Sequence, residues 1–253
     1  MSRPLLLLSN DDGFESPYLI ALADELEARL EAEIVVVAPE KQQSATSHKI
    51  TLHKPVRIVE RTPGRFSVSG TPVDCVYIGL VKLVKRRPAL VVSGVNDGYN
   101  LGFDVHYSGT VAAAREGALR GVPSLAVSLA PRSEQGLQGA IDVTCEVAKK
   151  TLSLPAENGS ENGLLLNINV PAKNQGAAYR FTRLGRRAYE DDVHERQDPR
   201  GRLYYWIGGG IAEKDLSPGT DTNAVSVDGI ASVTPLSVDP TATALLAADT
   251  PLW

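Results

Sequence analysis

Four consecutive leucines, Leu5 to Leu8, are closed off at once by the polar string Ser9-Asn10-Asp11-Asp12-Gly13. A short, uniformly apolar run with an abrupt polar stop is the pattern of a strand buried on both faces. Apolar residues then return at helical spacing. Ile20, Leu22, Ala23, Leu26 and Leu30 share one broad face with Asp24, Glu25 and Glu27 interspersed, which predicts a helix over Tyr18 to Leu30. Ile34 to Ala38 is a second, valine-rich strand, residues 39–47 a polar loop, and Ile50 to Val59 and Phe66 to Ser69 extended segments. Thr71 as N-cap and Pro72 at the first helical position predict a helix that runs to about Lys85, before Arg86-Arg87-Pro88. Ala89 to Val92 is a third core strand, followed by a glycine-rich loop from Gly94 to Gly102. Val111 to Leu119 predicts an alanine-rich helix, Leu125 to Leu129 a strand, Gly139 to Leu152 a helix, and Leu164 to Val170, with its alternating asparagines, one more strand.

Strands alternating with helices define an open, mostly parallel α/β sheet. Beyond Pro171 the pattern changes. Aromatic and polar residues alternate around Tyr204, Tyr205 and Trp206, and Gly208 to Gly210 breaks the run, which suggests antiparallel hairpins. The chain is therefore divided near residue 175, into an α/β core over 1–175, expected to carry any active site, and a β-rich extension over 176–253. Aromatic residues are enriched in interfaces, so the extension is expected to be an oligomerisation element.

Composition narrows the function. With 253 residues, 43% hydrophobic and 22% charged, the chain can bury a sizeable core unaided by disulfides. Its two cysteines, Cys75 and Cys145, form no zinc or disulfide pattern. A net charge of −4 argues against a nucleic-acid polymer as partner, since binding one needs a basic excess. A small phosphorylated ligand remains compatible. No apolar run approaches the ~20 residues that span a bilayer, and four leucines are too few for a signal sequence, so a cytoplasmic location without membrane attachment is expected.

Three strands share one grammar, an apolar run followed by small polar residues: Leu5–Leu8 into Asp11-Asp12, Val35–Ala38 leading to Gln43-Ser44, and Leu90–Val92 into Asn96-Asp97. Ligands of open α/β sheets bind outside the carboxyl ends of the strands. Asp11, Asp12, Ser44 and Asn96 are thus candidates to meet there. Four oxygen donors suit a hard divalent cation such as Mg²⁺ or Mn²⁺, and like charges side by side repel unless a cation sits between them. Ser108-Gly109-Thr110 precedes a helix, where free N–H groups favour an anion, but the same string at Ser69-Gly70-Thr71 shows that it can equally be a cap. His48, His106, Asp97 and Asp104 lie near these segments, as functional groups or as ordinary surface and turn residues. Asp12 and Asp104 are candidates to handle a proton. There is no phosphate loop of the G-x-x-x-x-G-K-[ST] type, no G-x-G-x-x-G after the first strand and no G-x-S-x-G elbow.

Asn10-Asp11-Asp12-Gly13, Ser69 to Cys75, Val92-Ser93-Gly94-Val95-Asn96, Asn100-Leu101-Gly102 and Tyr107 to Gly117 occur together and in order. In that combination the chain resembles the SurE family, the stationary-phase survival proteins that act as 5′/3′-nucleotidases. The resemblance is dense over the first ~130 residues. It thins through Asn167 to Pro171, Arg183 to Arg187 and Ser232 to Leu236. It implies a Rossmann-like core, one divalent metal ion (Mg²⁺ or Mn²⁺) held by Asp11, Asp12, Ser44 and Asn96, and phosphate contacts from Asn96, Ser108, Gly109 and Thr110. It implies hydrolysis of nucleoside monophosphates, with short polyphosphate as a further substrate of some members, and assembly as a homodimer or homotetramer. Two segments depart from the family pattern, Ser16-Pro17-Tyr18 where a small residue, proline and glycine are common, and Gln43-Ser44-Ala45 where Arg-Ser-Gly is common. Two other classes share parts of these features: a module that holds nucleotide without turnover, and a metal-dependent glycosyltransferase.

Overall fold

The computed structural model describes residues 3–131, 133–155, 163–174, 176–190 and 192–241. The last residues of the extension, 242–253, lie outside them. Thirteen strands and five α-helices are assigned among these residues. The core strands are β1 (Leu5–Ser9), β2 (Glu33–Pro39), β3 (Ile58–Thr62), β4 (Arg65–Val68), β5 (Leu90–Asp97), β6 (Ser124–Leu129) and β7 (Leu165–Val170). The helices between them are α1 (Pro17–Leu30), α2 (Pro72–Ile78), α3 (Gly109–Leu119) and α4 (Glu134–Leu152). The extension supplies β8 (Tyr179–Phe181), β9 (Arg187–Tyr189), β10 (Asp192–Gln197), β11 (Leu203–Gly208), β12 (Ile211–Lys214), α5 (Asp221–Ser226) and β13 (Ala231–Leu236).

Nine strands form one sheet in the order β3-β4-β2-β1-β5-β6-β7-β13-β8. The six from β4 to β7 run parallel; β3 is added antiparallel against β4 at one edge, and on the other side β13 is antiparallel to β7 and β8, the edge strand, is parallel to β13. The fold is the mostly parallel α/β sheet expected. From β1 the chain moves outward to β2 and β4; it then returns to β5 on the other side of β1 and moves outward again to β6 and β7. β1 and β5 therefore flank the point where the winding reverses, which is where such sheets open a crevice for ligand. Leu6 and Leu8 face the core beneath α1 and α4, while Leu7 faces the opposite core with Cys75 and Val76 of α2 and Ala113 of α3. A strand between two such layers must be apolar throughout, which explains the four leucines.

Several boundaries differ from expectation. Residues 50–57 form no strand, and the edge strand begins only at Ile58, because the segment before it is held by side chains rather than by a ladder. Asp74 accepts the Thr51 N–H at 2.8 Å, and the Thr71 hydroxyl donates to the Lys49 carbonyl at 2.6 Å. Thr71 and Asp74 also complete a capping box on α2, so the first Ser-Gly-Thr string is a helix cap. The α-helical part ends at Ile78, and Gly79–Leu83 continues as a π-helical turn. β5 runs beyond Val92 through Gly94 to Asp97. At Gly94 φ is +137° and an added Cβ would lie 2.4 Å from the Val127 carbonyl oxygen, so only glycine fits. The register against β6 shifts between Ser93 and Asn96, a bulge that re-aims Asn96 at the strand end.

In the extension, β8 and β13 join the central sheet, whereas β10–β11 and β9–β12 form two separate antiparallel pairs. β10–β11 is an antiparallel hairpin of the kind that the alternation beyond Pro171 suggests, and β9 and β12, which flank it in sequence, pair with each other.

Replacing Asp74 by alanine removes the acceptor of two main-chain N–H groups, at Thr71 and Thr51. We expect Asp74→Ala to lower the unfolding free energy by roughly 2 kcal/mol, read from the urea midpoint. An unchanged midpoint would contradict this account of the cap.

Candidate active site

Asp11 and Asp12 follow β1 directly. Adjacent side chains can turn toward one crevice here because the strand has ended. The Asn10 side chain closes the turn, accepting the Gly13 N–H at 3.2 Å and donating to the Gly13 carbonyl at 2.9 Å. Gly13 has φ +103°, a conformation that L side chains rarely adopt. Asp11 is only 7% exposed. Its carboxylate takes a short hydrogen bond from the Thr110 hydroxyl and a further one from the Thr110 main chain. The amino end of α3 is thereby docked on Asp11. A Cβ at Gly109 would come to 3.0 Å from the Asp11 side chain and from the Thr46 hydroxyl, so any larger residue would have to push these side chains back by a few tenths of an ångström. Asp12 accepts from the Gln42 amide and from the Asp97 N–H, both at 3.3 Å.

The other sides of the crevice come from two loops. The Gln43–Ser47 segment is clamped across it: the Gln43 N–H donates to the Asp11 carbonyl at 2.7 Å, the Ser47 N–H to the Tyr107 carbonyl at 2.9 Å and the Ser47 hydroxyl to the His106 carbonyl at 2.7 Å. Ala45 and Ser47 are held at φ +55° and +51°, local strain of the kind that collects at functional loops. The Asn96 amide donates to the Gly98 carbonyl at 2.7 Å, which commits its nitrogen to the turn and leaves Oδ1 as its acceptor for a ligand. Ser108 caps α3 by accepting the Val111 N–H at 3.1 Å.

Asp11, Asp12, Ser44, Asn96, Asp104 and Ser108 all line one cavity of about 400 Å³. Gly109 and Thr110 stand immediately behind Asp11; the Thr110 hydroxyl is spent on that carboxylate. Neither histidine lines the cavity. His48 pairs with Glu116 at 3.1 Å, and His106 is exposed at the end of a 3₁₀ turn over Gly102–His106. Sequence patterns missed Gln42, Tyr99, Asn100, Tyr107 and Tyr189, which also line it. Tyr189 arrives from β9 in the extension and donates its hydroxyl to Asp104 at 2.6 Å. Nothing local marks it, since its role exists only once the extension has folded back.

A larger cavity, about 720 Å³, opens at the amino ends of β5 and β6 among Lys85, Arg86, Arg87 and Arg120. Its acid, Glu116, already pairs with His48 and Arg120, and the strand ends there carry no other carboxylate in its lining. Strand direction favours the smaller, acidic cavity as the site.

Burial pushes the Asp11 carboxyl up to about 6; the Thr110 hydrogen bond pulls it down and neighbouring Asp12 pushes it up. Burial also raises Asp12, partly offset by the Asp97 N–H. Two carboxylates that resist ionising together are suited to a bound cation, which removes the penalty. Among the described residues no group of three or more histidine, cysteine, aspartate or glutamate side chains could hold a metal. The donor set is instead two carboxylates with neutral oxygens from Ser44 and Asn96, which suits a hard, oxygen-seeking ion. Burial pushes the Cys75 thiol well up, so it stays a thiol inside the core.

An open parallel sheet with an oxygen-lined acidic cavity at its switch point places the chain among the α/β proteins that bind a small ligand at the carboxyl ends of their strands. A family model described as Survival protein SurE matches residues 6–191. The chain is 49% identical over 240 residues to the 5′-nucleotidase SurE of Sorangium cellulosum (strain So ce56), which covers 94% of this chain and 91% of that one. It is 50% identical over 246 residues to the 5′-nucleotidase SurE of Anaeromyxobacter sp. (strain Fw109-5), covering 95% and 92%. The crystal structure of the SurE protein from Aquifex aeolicus superimposes with a TM-score of 0.78 at 36% identity, covering 96% of this chain and 97% of the other. The chain belongs to the SurE family.

The folded chain holds the Asp11 proton more tightly than the unfolded chain, whose ordinary value is 3.8. Between that value and about 6 the unfolded state binds fewer protons, so stability falls as pH rises through this window. Thermal melts in chelator from pH 4 to 7 should show this fall. Asp11→Asn should reduce the slope, and saturating Mn²⁺ should remove it in the wild type. A slope identical in Asp11→Asn would show that the burial of Asp11 is not its origin.

Proposed function

We propose that this chain is a divalent-metal-dependent 5′-nucleotidase that hydrolyses nucleoside monophosphates to nucleoside and phosphate. One observation carries the proposal: Asp11 and Asp12 share the cavity at the switch point with Ser44, Asn96 and the start of α3. The names of the relatives support the same activity.

In this proposal Asp11, Asp12, Ser44 and Asn96 hold a single Mg²⁺ or Mn²⁺. The ion supplies positive charge against the phosphoryl oxygens when bound. Ser108, Gly109 and Asn96 receive the phosphate, where the helix start favours negative charge. Thr110 acts with them by fixing the Asp11 carboxylate. Asp12 and Asp104 are the groups that move the proton, with the Tyr189 hydroxyl holding Asp104 in place. Cys75 takes no part. The cavity volume is within the range of small-ligand sites, and short polyphosphate offers the same terminal group.

A homodimer or homotetramer is part of the proposal. All six residues of β11 are exposed, Trp206 at 64% and Ile207 at 90%. A two-stranded hairpin is marginal on its own, so a second copy laid against β10–β11 would supply the missing cover. A cytoplasmic location is proposed with it; among the described residues no helix is long and apolar enough to cross a membrane.

Phosphate release from a panel of nucleoside monophosphates, with Mg²⁺, Mn²⁺ or chelator, tests the activity. Release should require the ion, and Asp12→Asn should cut turnover on the order of 100-fold or more while the fold survives. Cys75→Ala should leave kcat nearly unchanged. Binding without release would favour a nucleotide-holding module. Light scattering should show a dimer or larger, and Ile207→Asp should shift it toward monomer; a strict monomer in the wild type would remove the assembly from the proposal.

A further inference from the structure

β7 places Asn167 and Asn169 on a sheet face where a strand buried on both sides would carry apolar side chains. Leu166, Ile168 and Val170 belong to the core on the side of α1 and α4, and Leu165 to the cluster on the side of α3. Both asparagines are fully buried. Buried amides are costly unless they find partners. Here the partner is one residue. The Asn100 N–H donates to Asn169 Oδ1 at 2.8 Å, and the Asn100 carbonyl accepts from Asn169 Nδ2 at 3.1 Å and from Asn167 Nδ2 at 2.8 Å. The Asn100 side chain in turn donates to the Ser128 hydroxyl at 2.8 Å. Ser128 is the β6 residue that pairs with Asn96 after the bulge.

We infer that Asn169, assisted by Asn167, is a positioning residue for the cavity. Its side-chain amide grips both polar groups of the Asn100 main chain, as a neighbouring strand would. Asn100 stands between the Asn96 turn and the Gly102–His106 turn that carries Asp104. The 96–108 segment supplies Asn96, Asp97, Tyr99, Asp104, Tyr107 and Ser108 to the cavity lining. Its internal support is a few turn bonds, such as Gly98 N–H to Asn96 carbonyl at 3.1 Å and Asp104 N–H to Leu101 carbonyl at 3.1 Å. The grip from β7 fixes the middle of that segment to the rigid sheet. Residues behind a ligand shell set its geometry in this way without touching the ligand.

The inference rests on the cavity being the metal and nucleotide site, and its test separates the two. Asn169→Ala removes the grip; Asn169→Asp keeps the shape and one acceptor but sets an oxygen against the Asn100 carbonyl. Val233→Ala serves as control. It weakens β13, whose Val233 pairs with Ile168 of β7, and leaves Asn100 alone. Amide hydrogen exchange should quicken over residues 96–104 in both Asn169 variants while β1 and α1 stay protected. Calorimetric titration without substrate should show Mn²⁺ binding weakened by ~10-fold or more. The kcat for a nucleoside monophosphate should fall by about 100-fold with a smaller change in KM, as expected when reacting groups move by about an ångström. Val233→Ala should lower Tm and leave Mn²⁺ affinity and kcat per folded molecule unchanged. Unchanged exchange over 96–104, or losses in the Asn169 variants that merely match Val233→Ala at equal Tm, would overturn the inference. If wild type released no phosphate yet the exchange and Mn²⁺ effects appeared, the nucleotidase proposal would fail and the positioning role would stand.

Discussion

The Asp11 carboxylate is closed in between the end of β1 and the start of α3, and the rest of the site is arranged around that contact. Thr110 docks the helix on it, Gly109 lets the backbone come close, and Gln43 binds the Asp11 carbonyl from the other side. A buried carboxylate carries a desolvation cost that hydrogen bonds only partly offset. The residual cost, seen in the upward shift of Asp11, is a standing demand for positive charge at this one place. Asp12 beside it, less deeply buried, sharpens the demand.

Strand order determines where that demand appears. Because the winding reverses between β1 and β5, the helices that follow these two strands turn to opposite faces of the sheet, and a crevice opens above the strand ends for the side chains that follow them. The bulge at Gly94 then matters as much as the aspartates. Without the register shift, Asn96 would follow the pleat of β5; with it, Asn96 sits opposite Ser128 and its loop can be gripped from β7.

How much of this could be read along the chain depends on the range of the cause. The strands and the oxygen donors at their ends are set by local pattern: Leu5–Leu8 into Asp11-Asp12 needs only the contrast of apolar and polar residues, and all four proposed ligands line one cavity. The two Ser-Gly-Thr strings could not be told apart in that way. Both cap helices, and what separates them is that Thr110 meets a carboxylate from another strand while Thr71 meets Asp74 three residues on. The span from Ile50 has β-forming residues, yet tertiary hydrogen bonds from Asp74 and Thr71 replace its ladder. Tyr189 had no local signal, and the alternating asparagines of Leu164 to Val170 were visible without their role, because Tyr189 meets Asp104 and Asn169 meets Asn100 only after the sheet is complete.

The extension is tied to the site by more than proximity. Asp221, fully buried at the start of α5, accepts the Gly102 N–H and the Gly185 N–H, and so joins the first residue of the 3₁₀ turn to the strand-poor stretch before β9. Tyr189 then reaches Asp104 within that same turn. The 96–108 segment is thus held from two directions, by β7 of the core through Asn100 and by the extension through Gly102 and Asp104. A chain that placed its exposed β10–β11 hairpin against a second copy would load the β9 end of this arrangement, only a few residues from Tyr189. In such an assembly, a shift of β9 would act on the hydrogen bond to Asp104, while Asn100, anchored separately to the sheet, would keep the Asn96 half of the cavity in place.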